Sequence, residues 1–218
     1  MKKFAVIGCG SFGSNVAKTL FDEGHEVLVI DFNKSIVQKA KDFCSDAILA
    51  DATDKETMEE IGIKDFDTVI ISLGQRMETS ILTTLHIKET GIKNIIVKAV
   101  NGDHMKILSR LGANRIIFPE RDMALRLAKQ LSTPNLLDYL PVVEDVSTYQ
   151  IVATKSFLGK TIKELDLRNR YSVLIIAIKK KDSEIFHYIP PSDFKIEEED
   201  LLIVMGKNKD LEKVKELD

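Results

Sequence analysis

The sequence has no excess of either charge. Thirty-one Lys and Arg stand against 34 Asp and Glu, a formal net charge of −3. Nonspecific binding to a phosphate backbone needs clustered cations, so a nucleic-acid binder is not expected. Long apolar runs are missing as well: stretches such as residues 173–178 fall far short of the ~20 residues that a membrane-spanning helix requires. The start, Lys2-Lys3 leading into a short apolar stretch that ends at Gly8, has no signal-peptide core. Two cysteines, Cys9 and Cys44, make no disulfide framework in 218 residues. The expected location is therefore cytoplasmic, with any membrane reached through a partner. Repeats and low-complexity segments are absent too.

Catalytic equipment is equally sparse. His25, His86, His104 and His187 share no metal-ligand spacing with one another or with the cysteines, so no metal site is expected. There is no Tyr-x-x-x-Lys pair and no Gly-x-Ser-x-Gly elbow. A dehydrogenase needs an acid–base group and a substrate pocket beside its cofactor, and no separate domain large enough for a substrate is evident. A nucleotide sensor is favoured over an enzyme; an NAD-dependent oxidoreductase, or a fragment of one, is the alternative.

What is present, 44% apolar and 30% charged residues, suffices for a sizeable core in one large or two small domains. Short β-branched runs at 4–7, 26–30, 47–49, 68–72, 94–98 and 115–118 read as strands. Between them lie patterns of helical period, such as Val16 with Leu20 and Ile81 with Leu85. Strand–helix alternation predicts an α/β fold, a Rossmann-like parallel sheet covered on both faces, over residues 1–118. Pro119 then opens a helix through Met123, Leu127 and Leu131, ending at Ser132-Thr133-Pro134. Leu136, Leu137, Tyr139 and Leu140 follow as an apolar segment too short to bury itself, which calls for a second subunit. Residues 119–143 are thus expected to be crossover and dimerisation helices with a linker. Residues 144–218 are expected to form a smaller α+β lobe, with strands near 150–154, 172–178, 184–187 and 201–205 and a last helix at 208–217.

The strongest chemical signal is Gly8-Cys9-Gly10-Ser11-Phe12-Gly13 between a strand and a helix. The first glycine permits the tight turn, the second lets phosphates approach the backbone, and the third lets helix and strand pack closely. Free N–H groups and the helix dipole then face the anion. Asp31 ends the second strand, where a carboxylate accepts from both ribose hydroxyls; an ordinary helix cap near Ser35 is the alternative. That carboxylate repels a 2′-phosphate and Phe32-Asn33 offers no arginine, so NAD or another adenine nucleotide is favoured over NADP. Asp51, Ala52 and Thr53 follow the third strand, Leu73 and Gly74 the fourth, and Lys98 ends the fifth. All lie at the carboxyl edge of the sheet, where ligands sit in such folds.

Two further motifs read as structural. Leu158-Gly159-Lys160-Thr161 resembles the tail of a P-loop, but Thr154 stands where that motif needs glycine; a turn into a helix capped by Thr161 is expected. Cys9 lies near a helix N-terminus that can lower a thiol pKa, yet a small permissive residue is the simpler reading.

Taken together, residues 4–13, Gly24-His25-Glu26-Val27, Asp31, Asp51-Ala52-Thr53, Gly112-Ala113-Asn114-Arg115-Ile116-Ile117 and Pro119-Glu120 resemble the regulatory subunits of Ktr/Trk potassium-uptake systems, the KtrA/TrkA family built from RCK (KTN) domains. The later part resembles the RCK-C (TrkA-C) domain at Gly159-Lys160-Thr161, Leu165 and Gly206. The resemblance implies a regulator that dimerises, assembles as an octameric ring beneath a membrane potassium translocator, and binds NAD(H) or AMP, ADP or ATP. It implies that Gly8, Gly10, Ser11, Phe12, Gly13, Asp31, Asp51, Ala52, Thr53, Leu73, Gly74 and Lys98 line the nucleotide, that the helix after Phe118 packs on a partner subunit, and that the C-terminal lobe is a place for cyclic di-AMP. ATP-responsive members carry arginine where this chain has Ser11. Serine can hydrogen-bond a phosphate but cannot neutralise it, which moves the expected ligand from ATP toward NAD, AMP or ADP.

Overall fold

The computed structural model describes residues 1–74, 76–132, 136–215 and 217, with the backbone alone at 136–139 and 141. The chain divides into two compact units, Met1–Pro119 and Glu120–Asp218.

In the first unit strands and helices alternate: β1 (Lys3–Ile7), α1 (Ser11–Asp22), β2 (Glu26–Asp31), α2 (Lys34–Ala40), β3 (Asp46–Leu49), α3 (Lys55–Glu60), β4 (Thr68–Ile71), α4 (Met77–Glu89), β5 (Ile95–Lys98), α5 (Gly102–Arg110) and β6 (Arg115–Ile117). All six strands pair in parallel in the order β3-β2-β1-β4-β5-β6. The near-continuous apolar runs of β1, β2 and β4 follow from this position, since central parallel strands are covered on both faces. Successive side chains point to opposite faces. Accordingly Ala5, Ile7, Leu28, Ile30, Val69 and Ile71 join one core with Met58, Ile87 and Leu108, while Val6, Val27, Val29 and Ile70 join another with Ala17, Val37 and Ala40. The chain steps outward from β1 to β3 and returns across the sheet to β4. That reversal opens a crevice at the carboxyl ends of β1 and β4, the usual ligand position in doubly wound sheets.

The second unit comprises α6 (Pro119–Ser132) from its second residue onward, β7 (Leu136–Val143), β8 (Val146–Val152), α7 (Ile162–Leu165), α8 (Leu167–Tyr171), β9 (Leu174–Lys179), β10 (Phe186–Tyr188), β11 (Leu201–Lys207) and α9 (Asn208–Lys215). Its five strands pair antiparallel in the order β10-β9-β11-β8-β7. Along β8 the alternation is regular: Ser147, Tyr149 and Ile151 point inward, and the last two pack with Phe157, Leu202, Val204, Leu211 and Val214. Thr161 caps α7, its hydroxyl accepting from the Glu164 amide while the Glu164 carboxylate accepts from the Thr161 amide, so the P-loop look-alike is a capping box.

One expectation is corrected. The segment read as part of a helical crossover is the edge strand β7, whose backbone pairs with β8 from Leu136↔Ile151 to Val143↔Val146. The second sheet therefore begins at Leu136, eight residues before the expected lobe boundary at residue 144. Of the apolar side chains expected to meet a second subunit there, Leu136, Leu137 and Tyr139 lie outside the described ones, and Leu140 is exposed.

Helix α6 buries no residue. Near its end Lys129 pairs with Glu212 of α9 at 3.3 Å and lies 4.9 Å from the centre of the Tyr149 ring. The Tyr149 hydroxyl donates to the same Glu212 carboxylate at 2.6 Å, and Lys215 also pairs with it. Burial alone would raise the Glu212 carboxyl; the hydrogen bonds from Lys215, Tyr149 and Lys129 outweigh it and hold the group at about 2.

Candidate functional site

The crevice is a cleft of about 380 Å³, within the size range of small-molecule sites. Its floor is the glycine loop between β1 and α1. Gly8 sits at φ +87°, and a Cβ there would collide with the Ser72 carbonyl, so only glycine carries the chain from β1 into the turn. A Cβ on Gly13 would strike the Gly8 carbonyl, which is how closely α1 approaches its strand. At Gly10, by contrast, a Cβ would meet nothing within 4 Å; the space belongs to the cleft. No side chain caps α1 at Gly10, leaving first-turn N–H groups available to an anion.

Asp31 is buried at the end of β2 and bonded on both oxygens. Oδ2 accepts from the Cys9 amide at 2.8 Å and Oδ1 from the Asn33 amide at 2.9 Å. The carboxylate thus clamps the glycine loop to β2 and keeps lone pairs for further donors. It does not cap α2. Asn33 does so, its side chain accepting from the Ser35 amide at 2.9 Å.

Beyond β3, the Asp51 Oδ1 accepts from the Thr53 hydroxyl at 2.7 Å and the Thr53 amide at 2.9 Å. These bonds hold its carboxyl below the usual range. The Thr53 carbonyl can only accept, so His86 Nδ1, 3.0 Å away on α4, is the protonated ring nitrogen, and it anchors this turn from behind. Across the cleft the Lys98 ammonium lies 5.8 Å from the centre of the Phe12 ring. The Arg76 guanidinium lies 4.1 Å over the Phe32 ring.

All the residues expected from the sequence line this cleft except Gly13, which is buried in helix–strand packing. Sequence reasoning missed Phe32, Ile36, Arg76 and Thr79 among the lining, and the apolar or small strand-end residues Ile7, Ile30, Ala50 and Ser72. Phe32 directly follows the recognised Asp31, and Arg76 lies two residues beyond the recognised Gly74, so continuing each strand-end loop would have reached both. Cys9 is not an activated thiol: burial, then the Asp31 charge and Cys44, push it up to about 11.

Two family descriptions match the chain, the TrkA-N domain over residues 4–119 and the TrkA-C domain over residues 146–217. The Ktr system potassium uptake protein C of Bacillus subtilis is 41% identical over 210 residues, 96% of this chain and 94% of that protein. The Ktr system potassium uptake protein A of Vibrio alginolyticus is 37% identical over 205 residues, 94% of this chain and 92% of that protein. Among solved structures, the GsuK channel bound to NAD superposes with a TM-score of 0.54 at 22% identity, over 100% of this chain but 38% of the channel polypeptide. The TrkA-N domain of the inner membrane protein ybaL from Escherichia coli gives 0.55 at 19% identity, over 60% of this chain and 97% of that one. These two structural likenesses bear on the fold. Matched by both domains in order and, over 96% of its length, by a relative it covers to 94%, the chain belongs to the TrkA/KtrA family, a TrkA-N domain followed by a TrkA-C domain.

Proposed function

We propose that this chain is the regulatory, nucleotide-sensing subunit of a potassium-uptake system, working from the cytoplasmic side on a membrane translocator. The observation that carries the reading is the cleft: a glycine loop, an uncapped helix N-terminus and a clamped carboxylate converge on one space in a chain 41% identical to a Ktr potassium-uptake protein. In this reading NAD(H) or an adenine nucleotide lies with its phosphates on Gly10, Ser11 and the start of α1. Asp31 accepts from the ribose hydroxyls, Lys98 balances phosphate charge, and Ala52, Leu73 and Gly74 flank the base. The remaining acid, Asp51, is held ionised by Thr53 and serves as an acceptor rather than a proton donor at neutral pH. That lining suits recognition better than acid–base catalysis.

Regulation requires that the ligand bind two shapes of an assembly with different affinity; equal affinity shifts nothing. Assembly into dimers and a ring is supported by α6, where Met123, Leu127 and Leu131, at i, i+4 and i+8, form an exposed apolar stripe unusual on a solitary subunit. Native mass spectrometry without added ligand, followed by calorimetric titration with AMP, ADP, ATP and NAD, tests the reading. A multimer that binds at least one of them is expected; a monomer that binds none would overturn it. Potassium uptake by cells lacking the chain should be restored by the wild type and not by a variant with the cleft disabled. Titration with cyclic di-AMP is the parallel test for the second unit.

A further inference from the structure

Arg76 leaves the sheet after β4, on the far side of β1 from β2, yet its guanidinium rests 4.1 Å over the ring of Phe32, which follows β2. The side chain therefore reaches across the glycine loop and joins the two walls of the cleft. Both residues are unusual for where they stand. Phe32 is 53% exposed, a large ring kept in water at the rim of a cleft. Arg76 is also exposed, and among the described residues its guanidinium makes the stack on Phe32 and no hydrogen bond. Phe32 follows β2, whose outer neighbour is β3, and the Arg76 charge adds to what keeps Asp51, after β3, ionised. This places the pair beyond Asp31 on the β2–β3 side, while Lys98, after β5, stands on the other.

A nucleotide with its ribose on Asp31 and its phosphates on α1 sends its base toward that pair. We propose that Phe32 and Arg76 are the jaws that take the ligand's purine ring, the guanidinium giving up the phenyl face for a face of the base. This rests on the cleft being a nucleotide site. At 4.1 Å the jaws are shut: a ring in contact with both needs roughly twice the 3.5–4.0 Å carbon–carbon contact distance. Opening is easy because the arginine stem is long and its head is held by one stacking contact. The exchange is favourable because a guanidinium gains more over a base enclosed between two planes than over a ring bathed in water. Arg76 thereby becomes a specificity residue for the base, and its closure ties the loop after β4 to the ligand.

The test is calorimetry of the full-length protein with AMP and ADP, wild type against Arg76→Met, a change at an exposed position whose folding is checked by thermal melting. Arg76→Met should weaken AMP and ADP by the same factor, roughly tenfold for a lost cation–π contact. Because the chain has no tryptophan, Phe32→Trp supplies a lone indole whose emission should change when AMP enters. Equal AMP affinity in wild type and Arg76→Met overturns the proposal. So does a loss that grows from AMP to ADP, which would make Arg76 a phosphate contact, or an indole blind to AMP. Wild type that binds no adenine nucleotide would instead sink the nucleotide reading itself, and this one with it.

Discussion

Replacing Asp31 with alanine removes two things at once, and the structure allows them to be separated. The Cys9 amide is buried and loses its acceptor, while the Asn33 amide is half-buried where water can replace the carboxylate. An unsatisfied buried donor costs ~1–3 kcal/mol, so the ligand-free variant should unfold at lower urea with an unchanged slope. Binding loses a second increment. A hydrogen bond to a charged group contributes about 1.5–3 kcal/mol, so an adenine nucleotide should bind roughly 10- to 150-fold more weakly. A loosened glycine loop could by itself weaken binding, so the decisive measurement is a cycle: AMP and 2′-deoxy-AMP titrated into wild type and Asp31→Ala. Wild type should prefer the ribonucleotide and the variant should be indifferent. An undiminished preference in Asp31→Ala would show that the carboxylate does not hold the 2′-hydroxyl, and the ribose assignment would have to go. For the same reason NADP should bind wild type more weakly than NAD.

Other expectations follow from single positions. Gly8→Ala places a side chain at φ +87° against the Ser72 carbonyl; it should cost about 2–5 kcal/mol of stability, read from a denaturation curve, and a mild effect would contradict the turn geometry. ATP should bind no more than a few-fold more tightly than ADP, and Ser11→Arg should widen the gap in favour of ATP, since it adds a charge-assisted phosphate contact; a hundredfold ATP preference in wild type would show that another cation already does this. Glu212 is held down at about 2 against an ordinary value of 4.5, so its contribution to stability is present above 4.5 and lost as pH falls toward 2. Glu212→Gln should flatten the stability profile in that window, and an unchanged profile would mean the contacts with Lys215, Tyr149 and Lys129 do not persist in solution. Cys9, pushed up to about 11, should resist thiol reagents at neutral pH in the folded protein and react on unfolding.

The six parallel strands were legible because central strands must be apolar on both faces, and such runs as Val27–Ile30 have few other uses. The glycine loop was legible because each glycine answers a separate steric demand. Strand β7 was not. Its Leu136-Leu137-Asp138-Tyr139-Leu140 stretch lacks the regular alternation that marks β8, and it contains Pro141, which gives no amide to a ladder and is tolerated because β7 lies at the sheet edge. The clamp on Asp31 was half visible: the residue was found, but its bond to the Cys9 amide joins positions 22 apart and depends on how β1 and β2 register. Arg76 lay just past the recognised loop residues: its position was within reach of the sequence, but the reach of its side chain across β1 to Phe32 shows only in the structure. The packing role read for Gly13 is the one its contact with the Gly8 carbonyl displays, while the ligand role implied by the resemblance has no counterpart in the cleft lining.

The junction around Glu212 gives α6 a mechanical character. Helix α6 buries none of its own residues, yet its Lys129 is fastened to a carboxylate that also holds Tyr149 of β8 and Lys215 of α9. A twist applied to the exposed face of α6 therefore reaches a strand and a helix together through this charged junction. Loosening that junction, by acid or by Glu212→Gln, should leave the strands of the lobe intact while weakening one link between α6 and them. The helix would then pass less of its motion on to the sheet.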